Sequence, residues 1–144
     1  MSKIEKMFSF FNGNFNCAQS VLATYSPQFG LEEDMALRIA TGFGGGMGRF
    51  GRACGAVTGA IMTIGLKYGQ AKNDIIELKE KTYQIVGEFI NRFQEIHGSV
   101  ICKELLGCDI NTPEGKDYYN QHNFFEKKCS QYVKSAVEIL EEIL

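Results

Sequence analysis

Cysteine is the residue type in this chain best suited to chemistry, and four of the five cysteines occupy similar positions. Each lies at or near the predicted start of a helix. Cys17 directly follows the candidate cap Asn16, and Cys102 lies three residues after the candidate cap Ser99. Free backbone N–H groups at a helix start stabilise negative charge, which lowers a thiol's pKa and favours the thiolate. The pattern therefore predicts redox or metal chemistry at Cys17, Cys54, Cys102 and Cys129.

Three functions remain open from the cysteines alone. The first is thiol–disulfide exchange or electron transfer, which would make the chain a thiol oxidoreductase. The second is a metal-binding protein, whose four thiolates would hold zinc or an iron–sulfur cluster. The third is a structural or interaction bundle whose cysteines are small core residues and which needs no cofactor. No C-x-x-C pair occurs, so the motif typical of thioredoxins and zinc ribbons is absent.

Cys54 is the thiol that we expect to react first. It follows a glycine-rich segment through which a partner can reach it, and Arg49 and Arg52 supply positive charge nearby. Cys17 and Cys129 fall instead on apolar helix faces, where burial opposes ionisation. The nucleophile is therefore predicted to be Cys54, with another cysteine resolving the intermediate.

The glycine-rich segment Gly44–Gly51 has five glycines in eight residues and is predicted to be a loop, because glycine is unfavourable inside a helix. We expect it to pack its backbone against the thiols. Arg49 and Arg52 either add positive charge beside Cys54, bind an anionic ligand or are ordinary surface residues. Gly46–Gly51 also matches G-x-G-x-x-G, but no predicted strand precedes it, which disfavours a dinucleotide site. The candidate binding residues are Gly44, Gly45, Gly46, Gly48, Arg49 and Arg52.

The elements around these residues are predicted to be helices throughout. Apolar residues recur at helical spacing along the chain, and no segment convincingly indicates a strand. We expect one all-α domain over residues 1–144, folded as an antiparallel helical bundle. The glycine-rich loop would precede a buried central helix ending near Tyr68, and Gly55, Gly59 and Gly65 would let another helix approach it closely. Asn73 and Ser99 are the predicted caps of the next two helices.

Composition excludes several classes of protein. The net charge of −2 leaves no basic surplus for nucleic acid. The longest apolar stretch, Ala53–Leu66, is shorter than the about 20 residues that a membrane span needs, and the first residues lack a signal peptide's continuous apolar core. We therefore expect a cytoplasmic protein that binds neither nucleic acid nor a membrane. With the redox hypothesis we also expect a redox partner protein, and the oligomeric state is left open. His97 and His122 lack ligand spacing to any cysteine.

Four separated motifs in one order resemble a family of redox-active proteins named for its cysteine pattern. Cys54–Gly59 matches C-G-A-x-x-G, Asn16–Gln19 and residues 42–48 precede it, and Cys102–Gly107 and then Cys129 follow. The resemblance covers nearly the whole chain and implies a redox or metal role. It carries the family's signature cysteines over to Cys17, Cys54, Cys102 and Cys129.

We expect at least three of these four cysteines to converge beside the glycine-rich loop. Cys108 lies outside the family pattern and follows Gly107, which is predicted to end a helix. Its thiol is therefore predicted to be dispensable.

Overall fold

Eight α-helices and no β-strand form the protein, which confirms the all-α prediction. The structure, a computed structural model, describes all residues 1–144. Two 3₁₀ turns, Ser26–Phe29 and Thr41–Phe43, and one π-helical turn, Phe125–Cys129, connect helices or extend them. The helices are α1 (Lys3–Phe11), α2 (Cys17–Tyr25), α3 (Glu33–Ala40), α4 (Gly55–Tyr68), α5 (Glu77–His97), α6 (Cys102–Leu106), α7 (Pro113–Gln121) and α8 (Ser130–Ile143).

The start of α2 is fixed by a reciprocal pair of hydrogen bonds. The Asn16 side chain accepts from the Gln19 backbone N–H at 2.9 Å, and the Gln19 side chain accepts from the Asn16 N–H at 2.9 Å. This capping box satisfies two donors that would otherwise be unpaired at a helix start. The predicted cap at Asn16 is confirmed, and Cys17 is the first residue of the helix.

The predicted caps of α5 and α6, Asn73 and Ser99, are wrong. Helix α5 begins at Glu77 rather than after Asn73, because the residues between form a separate turn in which Asp74 accepts from the Ala71 N–H. In α6 the N-cap position is occupied by Ile101 rather than Ser99, and no side chain caps the helix. The Ser99 hydroxyl accepts the Ile101 N–H instead, which holds that segment extended before the helix begins.

The centre of the fold is a pair of helices, α2 and α4. Every residue of Ala18–Tyr25 is buried, and α2 packs against α1, α3, α4 and α8. Glycines let α4 approach closely, because a Cβ at Gly55 would lie 2.9 Å from the Ala18 nitrogen and one at Gly59 would lie 2.8 Å from the Ala18 oxygen. Gly65 faces open space, so the predicted close approach holds for two of the three glycines.

None of the helices combines the length and the apolar character that crossing a membrane requires.

Candidate functional site

Four of the five cysteines line one cavity of about 680 Å³. Each comes from a different element: the first turn of α2, the residue before α4, the first residue of α6 and the end of the π-helical turn. Cys54 and Cys129 are only 4% and 8% exposed, so the thiols lie on the inner wall. Cys108 is partly buried and does not line the cavity. The lining cysteines are Cys17, Cys54, Cys102 and Cys129.

A short antiparallel bridge brings Cys54 and Cys102 together. Ala53 and Ile101 form the bridge, the Cys54 N–H donates to the Val100 oxygen at 2.7 Å, and the Cys102 N–H donates to the Arg52 oxygen at 2.6 Å. Side chains alternate between the two faces of an extended chain. Both cysteines follow a bridged residue, so their side chains share the opposite face, toward the cavity.

The glycine-rich loop packs tightly against residues at or beside the cysteines. A Cβ at Gly44 would lie 2.6 Å from the Asn16 side-chain nitrogen, and one at Gly46 would lie 2.7 Å from the Cys102 Cβ. Real Cβ atoms do not come this close, so only glycine leaves the required space. Gly44, Gly45, Gly46 and Gly48 all line the cavity.

The loop also contains five consecutive residues with left-handed backbone. Their φ angles run from 58° to 71°, and two of the five, Met47 and Arg49, are not glycine. Left-handed conformation is unfavourable for residues that carry a Cβ. Hydrogen bonds from Gly48 N to Gly42 O and from Arg52 N to Gly46 O, both 2.9 Å, close the loop on itself. The five residues are Gly45, Gly46, Met47, Gly48 and Arg49.

The two arginines take different positions. Arg49 lines the cavity with an exposed side chain, whereas Arg52 is exposed and does not line it. Neither arginine contributes to the pKa of Cys54. The positive charge that we expected to act on this thiol therefore has no part in its pKa shift.

The expected lowering of the Cys54 pKa is wrong. Cys54 does precede α4, and the backbone N–H groups of Ala56 and Val57 act to lower its pKa. Burial is the larger effect, because it deprives the thiolate of water, and it raises the pKa of Cys54 to about 12. Burial likewise raises the pKa of Cys102 to about 12.

Cys129 is the cysteine whose pKa falls below the ordinary value. Its main cause is a hydrogen bond from the Cys17 thiol, with further contributions from the Tyr119 hydroxyl and the positive charge of Lys128. Burial opposes the shift. The pKa of Cys17 rises correspondingly, first because its proton is held in this hydrogen bond and second because of burial. The pair therefore favours a thiolate on Cys129 and a thiol on Cys17.

Two tyrosines complete the inner wall, and sequence reasoning missed both. The Tyr119 oxygen lies 3.7 Å from the Cys129 sulfur, and burial, followed by the neighbouring Cys129 charge, raises the pKa of Tyr119. Tyr132 donates to the Leu105 oxygen at 2.8 Å, and burial raises its pKa to about 12. Tyr119 lies in a mostly polar segment without a motif, so nothing in the sequence indicated it. Tyr132, three residues after Cys129, had a helical-spacing signal that could have been used.

The histidines lie away from the cavity lining, in accordance with their lack of ligand spacing. His97 contacts the Ser135 hydroxyl at 2.9 Å, and His122 contacts the Tyr118 backbone oxygen at 2.9 Å. No group of three or more histidine, cysteine, aspartate or glutamate side chains is arranged so that it could hold a metal ion. The zinc and iron–sulfur hypotheses therefore lack a ligand set in this arrangement.

The segment before the loop is the 3₁₀ turn Thr41–Phe43 and not a strand. The G-x-G-x-x-G match thus lacks the strand that a dinucleotide fingerprint requires.

A family model matches residues 15–143, and its description reads "Putative redox-active protein (C_GCAxxG_C_C)". The chain belongs to this family. The match spans all four cysteines of the cavity, and in this chain the central run reads Cys54-Gly55-Ala56, with the cysteine before the glycine. A search of curated proteins and a search of solved structures found no match. Family membership agrees with the resemblance seen in the sequence and supports a redox role at the level of the family.

Proposed function

We propose that this protein carries out thiol–disulfide exchange, with Cys129 as the attacking thiolate and Cys17 as the resolving thiol. The observation that carries the proposal is that both cysteines line the same cavity, where their interaction lowers the pKa of Cys129 and raises that of Cys17. Exchange between a dithiol and a disulfide needs one thiolate to attack and one thiol to finish the reaction. The Cys17–Cys129 pair supplies both.

The reaction begins when the Cys129 thiolate attacks one sulfur of a substrate disulfide, R–S–S–R′. A bond forms between the Cys129 sulfur and R–S, the substrate S–S bond breaks, and R′–S⁻ leaves. The Cys17 proton passes to R′–S⁻, and the Cys17 thiolate then attacks the Cys129 sulfur and expels R–S⁻. The two cysteines lose two electrons in total and end as a disulfide, and the two substrate sulfurs gain those electrons.

Tyr119 supports this role of Cys129 as a second hydrogen-bond donor to its sulfur. Cys54 and Cys102 have pKa values of about 12 and remain thiols at neutral pH, so neither is suited to the first attack.

The test is to trap the mixed disulfide. Reduced Cys17→Ser protein is mixed with hydroxyethyl disulfide, and the adduct is located by peptide mass spectrometry. We expect a stable adduct on Cys129, because the resolving thiol is absent, and no such adduct in Cys129→Ser. Cys108→Ser serves as the matched control, because Cys108 does not line the cavity. In this variant, as in the native chain, the mixed disulfide should be resolved to the Cys17–Cys129 disulfide.

An adduct on Cys54 or Cys102 in place of Cys129 would overturn the assignment, as would no adduct at all in a folded variant. Circular dichroism on each variant establishes that it is folded.

A further inference from the structure

The cavity that holds the thiols is positively charged, in contrast to the protein as a whole. The chain has a net charge of −2, yet the charged side chains lining the cavity are Arg49 and Lys116, and no aspartate or glutamate lines it. Neither of the two cations takes part in an ion pair with a carboxylate. Asp117 borders a separate, shallower depression that Arg49 and Lys116 share, outside the cavity lining.

The two cations and the thiols lie at different depths. The Arg49 and Lys116 side chains are exposed, whereas Cys54 and Cys129 are 4% and 8% exposed. A ligand that enters the cavity therefore meets positive charge at the mouth and sulfur on the inner wall. The starts of α2 and α4, at Cys17 and Gly55, also line the cavity, and helix starts favour negative charge.

The size of the cavity indicates a small substrate. A volume of about 680 Å³ falls within the range of about 300–1,000 Å³ typical of small-molecule sites. Buried thiols at the inner wall are out of reach of a disulfide held in a folded protein surface. A compact disulfide can fill the cavity and reach Cys129.

From this lining we infer that the substrate is a low-molecular-weight disulfide bearing carboxylate groups, which Arg49 and Lys116 bind at the cavity mouth while its S–S bond reaches the inner cysteines. The inference rests on the proposed function. The carboxylates take no part in the electron balance: the substrate disulfide gains two electrons and leaves as two thiols or thiolates, and the Cys17–Cys129 pair is oxidised. The role of the two cations is to orient the substrate and to raise its local concentration.

The test compares three disulfides of similar size and different charge. Reduced protein is mixed with dithiodipropionate, which is dianionic, hydroxyethyl disulfide, which is neutral, and cystamine, which is dicationic. Each rate constant is divided by the rate of the same disulfide with free mercaptoethanol, which removes differences in intrinsic reactivity. We expect the normalised rates to fall in that order, with about tenfold between the extremes at low salt and a smaller ratio at high salt.

The double variant Arg49→Gln/Lys116→Gln should lose this preference while it still reduces the neutral disulfide. The matched control is Arg38→Gln/Lys134→Gln, which removes one arginine and one lysine that are exposed and do not line the cavity. This control should keep the preference.

Equal normalised rates for the three disulfides, or a preference for cystamine, would overturn the inference and leave the proposed exchange intact. Failure to reduce any of the three would instead overturn the proposed function itself.

Discussion

The hydroxyl oxygen of Tyr119 lies 3.7 Å from the sulfur of Cys129. Tyr119 belongs to α7, and Cys129 ends the π-helical turn that leads into α8. Burial alone would raise the pKa of this thiol. Because Tyr119 and Cys17 both present hydrogen-bond donors to it and Lys128 adds positive charge, the pKa of Cys129 falls instead.

Removing the tyrosine hydroxyl should therefore raise the pKa of Cys129. We expect Tyr119→Phe to raise it, because the variant lacks one of the hydrogen-bond donors that stabilise the thiolate. The thiolate fraction at neutral pH falls, and alkylation of Cys129 by iodoacetamide slows with it. The pH dependence of that alkylation rate, followed by mass spectrometry of the Cys129 peptide, measures the shift.

Tyr118→Phe is the matched control, because the neighbouring tyrosine is exposed and does not line the cavity. It should leave the profile unchanged. A Tyr119→Phe profile that superimposes on the native one would show that the tyrosine does not act on the thiolate.

Buried thiols should make the protein lose stability at high pH. The pKa values of Cys54 and Cys102 are raised from the ordinary 9.0 to about 12, so between these limits the unfolded chain releases protons that the folded chain retains. Stability contributed by these groups is complete below about pH 9 and is lost as the pH rises toward about 12. Urea unfolding under reducing conditions, repeated across this range, should give a falling free energy of unfolding.

Cys54→Ala should make that fall shallower, because one of the two groups no longer titrates. The comparison concerns the slope against pH and not the absolute stability, which the smaller side chain also lowers. Parallel slopes for the variant and the native chain would contradict the raised pKa of Cys54.

Two glycines with the same backbone angle allow the crowding at the loop to be measured by itself. Gly46 and Gly107 both have φ near +70°, but a Cβ at Gly46 would strike the Arg52 nitrogen at 2.6 Å and the Cys102 Cβ at 2.7 Å, whereas one at Gly107 meets nothing within 4 Å. Both alanine variants lose about 1–2 kcal/mol to left-handed strain. Gly46→Ala should lose about 1–3 kcal/mol more through overpacking.

Denaturant unfolding of the two variants gives this difference directly. Gly46→Ala should also change the reactivity of Cys102, which Gly107→Ala should leave as it is. Equal losses of stability in the two variants would mean that the loop moves away from Cys102 at no cost.

Cys108 should be dispensable for exchange. It lies outside the cavity lining, and burial raises its pKa. Cys108→Ser should therefore reduce hydroxyethyl disulfide at the native rate, whereas Cys17→Ser and Cys129→Ser should fail to complete the reaction. A stopped-flow measurement of substrate reduction compares the three. A loss in Cys108→Ser as large as that in Cys17→Ser would give Cys108 a part in the chemistry.

The sequence was informative for several features whose cause is local, although the local turn that displaces the Asn73 cap was not predicted. Helical periodicity predicted the all-α fold, and Asn16 as a candidate cap predicted the start of α2. The glycines of the loop predicted close packing, and Gly46 against Cys102 is such a contact. These features depend on residues near one another in the chain or on the special freedom of glycine.

The remaining features depend on contacts between distant segments. The helix start beside Cys54 was predictable, but the depth of burial that outweighs it was not. The lowering of the Cys129 pKa depends on Cys17 and Tyr119, which come from α2 and α7. The predicted cap at Ser99 was wrong because pairing with the segment around Ala53 keeps Ile101 extended. Periodicity carries no information about such partners.

The bridge between Ala53 and Ile101 has a consequence for the synthesis of the protein. A growing chain cannot join these two residues until Ile101 has been made, and Cys129 and α8 follow later still. Until then the early cysteines are separate thiols without a common enclosure, and an oxidant could link them in any combination. Because the chain leaves the ribosome in this order, the thiols stay unprotected until α8 folds. Only after that step does the fold select which thiols react.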